Sequence, residues 1–217
     1  MNDEQTVVTP VAVAAQRRKA GRPFGSKIRR SRFLTEAELA LFMKAAHHEA
    51  AEDWLLMSLT YAFALRVTEA VTLRWEDVNV SSRQLTVRGL KRGAVRAYDV
   101  LNELWVPLMR LSKRNARRPA PSAWVFAARQ RGSADHLSAQ AAKSLFKRIC
   151  RKAGIVGKSI HDLRHSSAMA MARAGDNLPK IAGWLRHTRL QSSMQYLIPV
   201  VDKAHERQMA QRLAKYL

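Results

Sequence analysis

Two short segments of this 217-residue chain place charged and titratable side chains at spacings that suit phosphate chemistry. Arg66 ends the most apolar stretch of the sequence, and Glu69 follows three residues later. An arginine in this position needs an anionic partner, which is either the Glu69 carboxylate in a buried ion pair or a bound ligand. His161 and Arg164 are also three residues apart, so on a helix they share one face and can approach one phosphate together.

A third segment, residues 184–187, ends in His187, and Tyr196 follows nine residues after that histidine. On one continuous helix, nine steps of about 100° would place the two side chains on opposite sides. They come together only if the helix breaks near Thr188. Taken singly, a histidine or a tyrosine is more often structural than catalytic. This segment therefore indicates catalysis only in combination with the other two.

The three segments together resemble the catalytic domain of the tyrosine recombinases, or phage integrases. The pattern of that family is Arg-x-x-Glu, a lysine on a hairpin, His-x-x-Arg, Leu-x-His and a tyrosine nine positions later. Lys91 is assigned as the hairpin lysine because it stands five residues before Arg96, with Arg92 as the alternative. Over about residues 33–200 the pattern is matched in order by Arg66, Glu69, Lys91, His161, Arg164, His187 and Tyr196.

The resemblance implies DNA strand cleavage and rejoining that needs no metal or nucleotide cofactor. Tyr196 would attack a DNA phosphate and become joined to the 3′ phosphate, and the freed 5′ hydroxyl would then attack a partner strand. Arg66 and Arg164 would hold the non-bridging oxygens and stabilise the transition state. Lys91 would protonate the departing 5′ oxygen, and His161 would help to accept the tyrosine proton.

Two further residues have supporting roles by the same resemblance. His187 would hydrogen-bond the phosphate or the acid–base relay, and Glu69 would orient a catalytic side chain. One position departs from the family, which usually has Leu-Gly-His where this chain has Leu185, Arg186 and His187. Because glycine permits a positive φ, we expect Arg186 to produce an altered turn or an extra phosphate contact.

The elements that must position these residues are mostly helical. Thr35 and Glu38 have the spacing of a capping box, which predicts a helix that runs to about residue 48. Residues 53–65 are apolar on most faces, which predicts a helix at the centre of the core. Further helices are expected over about residues 68–75, 102–114, 138–153, 160–174, 178–185, 192–197 and 202–216.

Strand signals are few. Residues 84–87 and 95–100 alternate around two glycines, which predicts a hairpin, and residues 124–126 are a candidate third strand. The predicted fold is therefore mixed α+β and mostly helical. By resemblance it is a tyrosine-recombinase catalytic domain with a small three-stranded antiparallel sheet.

The composition favours a nucleic-acid partner. Lys and Arg number 38 against 17 Asp and Glu, a net charge of +21, and basic side chains gain affinity by releasing counterions from phosphates. An anionic membrane surface and a ribosome-bound role are the alternatives. The longest apolar stretch, residues 54–65, is too short to span a bilayer and no secretory signal is visible, so we expect a cytoplasmic, nucleoid-associated protein without a membrane partner.

Residues 1–32 form a basic segment without helical or strand periodicity, which predicts a flexible arm. Residues 20–27 resemble an AT-hook, although a solvated basic tail or linker explains them as well. The arm is short beside the DNA-clamping domain of typical family members, and in this respect the chain resembles the fimbrial phase-switch invertases. The candidate DNA-binding residues are Arg22, Lys27, Arg29, Arg30 and, on the hairpin, Arg92.

The predicted domains are therefore the arm, a catalytic domain over residues 33–201 and a C-terminal helix over residues 202–217. That helix either folds onto its own domain or docks on a neighbouring subunit, linking a homotetramer on double-stranded DNA, with accessory DNA-bending proteins as further partners. The function expected is site-specific recombination. The alternatives are relaxation of DNA by a type IB topoisomerase mechanism, a catalytically inactive DNA-binding regulator, and a metal-dependent phosphohydrolase that uses His161 and Asp162.

Overall fold

The first helix begins at a capping box, as predicted. In the computed structural model, which describes residues 32–89, 94–115, 119–130, 133–187 and 192–193, α1 spans Glu36–His47. The Glu38 backbone N–H donates to Thr35 Oγ1 at 3.1 Å, and the Thr35 N–H donates to the Glu38 carboxylate at 2.8 Å. These two bonds satisfy donors that have no partner within the helix.

The second helix, α2 (Ala51–Ala62), is the centre of the core, which confirms the prediction from its apolar sequence. Residues 55–60 are all buried, and α2 contacts α1, α4 and α6. The helix ends three residues earlier than predicted because Ala64 adopts a left-handed backbone with φ of 48°. The Leu65 N–H donates to Thr60 O at 3.0 Å and the Ala64 N–H donates to Tyr61 O at 3.2 Å, which is the Schellman pattern of a helix end.

The remaining helices that the structure describes lie close to their predicted positions, whereas residues 194–197 and 202–216, also predicted to be helical, lie outside the described residues. They are α3 (Val67–Val71), α4 (Asn102–Asn115), α5 (Ala139–Lys152), α6 (Ile160–Arg173) and α7 (Leu178–Trp184). The third helix is shorter than predicted, because the chain leaves it at Thr72 and forms a separate 3₁₀ turn at Trp75–Asp77. None of the described helices is long and apolar enough to cross a membrane.

The sheet is three-stranded and antiparallel in the order β1–β2–β3, with β1 at Val78–Asn79, β2 at Gln84–Arg88 and β3 at Val95–Asp99. The predicted hairpin is confirmed, with Leu85 opposite Tyr98. The predicted third strand at residues 124–126 is wrong. Trp124 forms only an isolated bridge with Arg74, and the Val125 N–H donates to Leu73 O at 2.9 Å, so this segment pairs with the loop after α3 rather than with the sheet.

A small apolar cluster lies beside the main core and holds together the elements that carry the candidate site. It joins Ala168 and Met169 of α6 to Ile181 of α7, Leu185 and Ala64. The turn after α2 and the turn after α7 are thus fixed against the same face of α6. As a result, the residues that follow these two turns are brought close to Arg164, although they are far apart in sequence.

Candidate active site

The candidate site is built around one buried carboxylate, that of Glu69 on α3. Its side chain is fully buried and accepts from the Arg66 backbone N–H at 2.8 Å, from Arg66 Nη1 at 2.7 Å and from Arg186 Nη2 at 2.7 Å. A third guanidinium, that of Arg164, has Nη1 3.7 Å from Glu69 Oε2. Three guanidinium groups therefore surround a single carboxylate.

The two predicted phosphate-binding arginines are brought together, but they differ in exposure. The Arg66 side chain is 33% exposed, whereas the Arg164 side chain is 1% exposed. Arg164 donates to Ala64 O at 2.5 Å and also to Leu185 O, so carbonyls from two turns orient its guanidinium. Arg66 thus has both features expected from the sequence, an ion pair with Glu69 and a face open to a ligand.

Two residues with a side chain adopt left-handed backbone conformations at the edge of this cluster. They are Ala64, with φ of 48°, and Arg186, with φ of 54°. Each such conformation costs a residue with a Cβ roughly 1–3 kcal/mol, and strain of this kind concentrates at functional sites. The backbone at Arg186 is thus the one that glycine would favour, and its side chain is fully buried rather than available for the predicted phosphate contact.

Three histidines lie around the arginines. His161 is exposed near the start of α6, and its ring meets that of buried His165 edge-on, with centroids 4.6 Å apart. His187, immediately after Arg186, is partly buried, and its Nδ1 lies 2.8 Å from Ser193 Oγ. Both histidines predicted from the motif are therefore at the site, and His165 and Ser193 are additions that the motif did not include.

The surroundings keep these histidines neutral near pH 7. Desolvation, followed by the charges of Arg164 and Arg66, lowers the pKa of His187 to about 4. Desolvation and the neighbouring His161 lower the pKa of His165 to about 4. Desolvation and then Arg164 also lower the pKa of His161 from its ordinary value. Neutral imidazoles can accept a proton or a hydrogen bond, which a cationic ring cannot.

Glu69 remains ionised in spite of its burial. Desolvation by itself would raise the pKa of Glu69, but the Arg186 charge and the bonds from Arg66 and Arg186 hold it below its ordinary value. With neutral histidines, three guanidinium charges therefore face one carboxylate charge, and the described cluster carries an excess of two positive charges. In a partly desolvated setting such an excess attracts an anion such as a phosphate.

Comparison with known proteins assigns the chain to a family. A sequence profile described as "Phage integrase family" matches residues 32–200, which is most of the chain. The chain belongs to the phage integrase family. Among relatives of this family, it is 32% identical over 163 residues to the tyrosine recombinase XerA of Pyrococcus furiosus, covering 75% of this chain and 56% of XerA. The chain thus spans only about half the length of this relative.

A shorter relative in the family is the type 1 fimbriae regulatory protein FimB of Escherichia coli K12. It is 29% identical over 171 residues, covering 76% of this chain and 82% of FimB, which confirms the expected resemblance to the fimbrial proteins. Among solved structures, XerH bound to a palindromic difH substrate gives a TM-score of 0.68 at 22% identity, covering 82% of this chain and 52% of XerH. The crystal structure of XerA gives 0.65 at 22% identity, covering 76% and 58%. The phage integrase fold predicted from the motifs is confirmed.

The described residues include five of the seven positions of the phage integrase pattern. The structure brings these five together, namely Arg66, Glu69, Arg164, His161 and His187. The other predicted site residues lie outside the described residues, namely Lys91, Tyr196, Arg92 and the four basic residues of the arm, Arg22, Lys27, Arg29 and Arg30. The same holds for the predicted C-terminal helix.

Proposed function

We propose that this chain is a site-specific DNA recombinase that cuts and rejoins strands through a covalent 3′-phosphotyrosyl intermediate. The observation that carries the proposal is the cluster of Arg66, Arg164 and Arg186 around Glu69, next to the neutral His161 and His187. This combination supplies an excess of positive charge for a phosphodiester and adjacent groups that can accept a proton. Membership of the phage integrase family supports the choice of DNA and of this chemistry.

In the proposed reaction the Tyr196 phenol oxygen attacks the scissile phosphorus, and the bond from phosphorus to the 5′ oxygen breaks. The phenol proton passes to His161, and the departing 5′ oxygen takes a proton from Lys91. Arg66 and Arg164 bind the non-bridging oxygens, whose negative charge grows in the pentacoordinate transition state. Religation reverses these steps, with the 5′ hydroxyl of a partner strand as the nucleophile.

His187 has a supporting role in this proposal. Its Nδ1 is engaged with Ser193, which leaves Nε2 as the ring nitrogen for the phosphate or the proton relay. Because the pKa of His187 is held near 4, first by desolvation and then by Arg164 and Arg66, the ring stays neutral before DNA binds. No metal ligand takes part in any of these steps. We therefore expect full activity in the presence of a chelator, and loss of activity there would favour the metal-dependent alternative.

The proposed partner is double-stranded DNA, bound by four copies in a synaptic complex and bent by accessory proteins, in the cytoplasm at the nucleoid. The structure of XerH with its difH substrate supports DNA as the partner. We propose that the arm of residues 1–32 adds phosphate and minor-groove contacts to the catalytic domain of residues 33–201. Deleting residues 1–30 should then weaken DNA binding and flatten its dependence on salt, because fewer counterions are released. Unchanged binding would refute this role.

The test of the function needs a DNA site, which can be selected from a random duplex library by repeated binding. A duplex with that site and a nick close to the scissile phosphate loses a short fragment on cleavage, so the covalent adduct accumulates. We expect the wild-type chain to give an adduct that survives denaturing electrophoresis. Tyr196→Phe should give none, because phenylalanine lacks the attacking oxygen.

Tyr61→Phe in α2 is the matched control, since it removes a phenol oxygen that is not among the assigned catalytic groups and should leave the adduct intact. An adduct that persists in Tyr196→Phe would refute the nucleophile. If the wild-type chain binds the selected duplex but relaxes supercoiled plasmid without recombinant product, the recombinase proposal fails.

A further inference from the structure

Arg186 is buried where a surface turn would normally carry a glycine. It lies just past the end of α7, where the Arg186 N–H donates to Gly183 O at 3.1 Å and the His187 N–H donates to Ala182 O at 2.9 Å. These two bonds are the Schellman motif, in which the residue at this position is left-handed and usually glycine. Arg186 adopts that conformation in spite of its Cβ, so contacts of its side chain must compensate for the strain.

The Arg186 side chain contacts three separate parts of the fold. Its guanidinium donates to Phe63 O at 3.0 Å and to Ala64 O at 2.9 Å, both at the turn after α2. It also donates to the Tyr98 hydroxyl on β3 and to Glu69 Oε2, the latter at 2.7 Å. The Nε atom has no hydrogen-bond partner among the described residues. The side chain therefore ties α3, the α2 turn and the sheet to the end of α7.

Two of these acceptors are shared with the arginines assigned to the phosphate. Glu69 accepts from Arg186 on Oε2 and from the Arg66 side chain on Oε1, and Ala64 O accepts from both Arg186 and Arg164. If Arg186 were absent, Glu69 Oε2 would be left with the Arg66 backbone N–H and with Arg164 at 3.7 Å. The carboxylate would then attract Arg164 away from the carbonyls of Ala64 and Leu185.

We propose that Arg186 is a positioning residue that holds Glu69 and the Ala64 carbonyl and thereby sets the orientation of Arg66 and Arg164 toward the scissile phosphate. This inference rests on the proposed recombinase function. The chain thus uses an arginine in the position of the usual glycine to complete the arginine cluster.

The test compares Arg186→Gln and Arg186→Lys with the wild type, and the matched control is Arg83→Gln. Arg83 also has a left-handed backbone, with φ of 52°, but its side chain is exposed and donates only to Asn102 at 3.1 Å among its hydrogen bonds in the described chain. For each variant, DNA affinity and the single-turnover rate of adduct formation are measured on the same duplex. Thermal unfolding shows whether each variant is folded.

We expect Arg186→Gln to lower the cleavage rate about 10- to 100-fold, because a displacement of catalytic groups by about 1 Å can cost about 100-fold in rate, and we expect a much smaller change in affinity. Arg186→Lys keeps a charge next to Glu69 and should recover part of the rate, and Arg83→Gln should cleave like the wild type. The double variant Glu69→Gln/Arg186→Gln should cleave only slightly more slowly than Glu69→Gln alone, because both substitutions act through one carboxylate. If Arg186→Gln does not fold, Arg186→Lys is the variant compared with the wild type.

A second readout does not require cleavage. Relaxation of the ¹⁵N-labelled Nε–Hε groups of arginines reports how firmly each guanidinium is held, and we expect Arg66 and Arg164 to become more mobile in Arg186→Gln but not in Arg83→Gln. Greater mobility without any wild-type adduct would retain the positioning role and refute the proposed function. A wild-type adduct together with unchanged rate and unchanged mobility in folded Arg186→Gln would overturn the positioning role alone.

Discussion

Removing the charge of Glu69 should destabilise the fold far more than removing the charge of a surface carboxylate. Glu69→Gln keeps the shape of the side chain but leaves three guanidinium groups without their counter-charge. Removing one partner of a buried ion pair typically costs about 3–5 kcal/mol. Because Arg66 is 33% exposed, water reduces its share of that cost, whereas Arg186 is fully buried. We therefore expect a loss of about 3 kcal/mol in the free energy of unfolding, at the lower end of that range.

The assay is urea unfolding followed by circular dichroism. With a slope of about 2 kcal/mol per molar urea, the loss corresponds to a fall of about 1.5 M in the midpoint. The matched control is Glu36→Gln, because Glu36 pairs with Arg173 at 3.0 Å but is 86% exposed, and such pairs contribute less than about 1 kcal/mol. Equal midpoints for Glu69→Gln and Glu36→Gln would refute the reasoning that the Glu69 cluster is a buried charge network.

Three further results are expected. Desolvation, followed by His161, lowers the pKa of His165 to about 4, so stability should fall as the pH drops from 6.5 toward 4. The share of His165 in this loss is up to about 3 kcal/mol, and His165→Asn should remove that share in unfolding measurements. Arg66→Gln should raise the pKa of His187 in an NMR titration, because it removes a nearby positive charge, and an unchanged pKa would contradict the electrostatic effect of Arg66 on His187. Thr35→Ala should cost about 1 kcal/mol in the free energy of unfolding by removing the cap of α1, and a loss near zero would show that the cap contributes nothing.

The sequence predicts best those elements whose signals are local. The start of α1 follows from a capping box of two residues, and the buried α2 follows from a continuous apolar run. The assignment of residues 124–126 to the sheet is wrong because a short apolar run contains no information about its partner. That partner is the loop at Leu73 and Arg74, about 50 residues earlier, and β1 has only two residues and hence almost no periodicity of its own.

The candidate site shows the same difference between local sequence signals and partners that are distant in sequence. Arg66, Glu69, His161, Arg164 and His187 are found from their spacing because the family pattern fixes their order. The role of Arg186 could not be read from its neighbours, because its main partner, Glu69, is 117 positions away. The signal that pointed to it was the arginine in place of the usual glycine.

Ala64 shows the limit of this kind of prediction. Its left-handed φ of 48° has no sequence signal, because alanine is not a residue that favours that conformation. Only the structure shows that its carbonyl accepts from both Arg164 and Arg186. The turns that orient the arginine cluster are therefore a property of the assembled fold rather than of any local segment.

The central claim is that Tyr196 becomes covalently joined to a DNA 3′ phosphate. The most direct measurement is mass spectrometry of the trapped adduct after digestion with protease and nuclease, combined with analysis of the released DNA end. We expect a nucleotide on the peptide that contains Tyr196, attached through its 3′ phosphate, and a free 5′ hydroxyl on the other DNA end. A nucleotide on another residue, a 5′-phosphate linkage, or cleaved DNA without any protein adduct would contradict it.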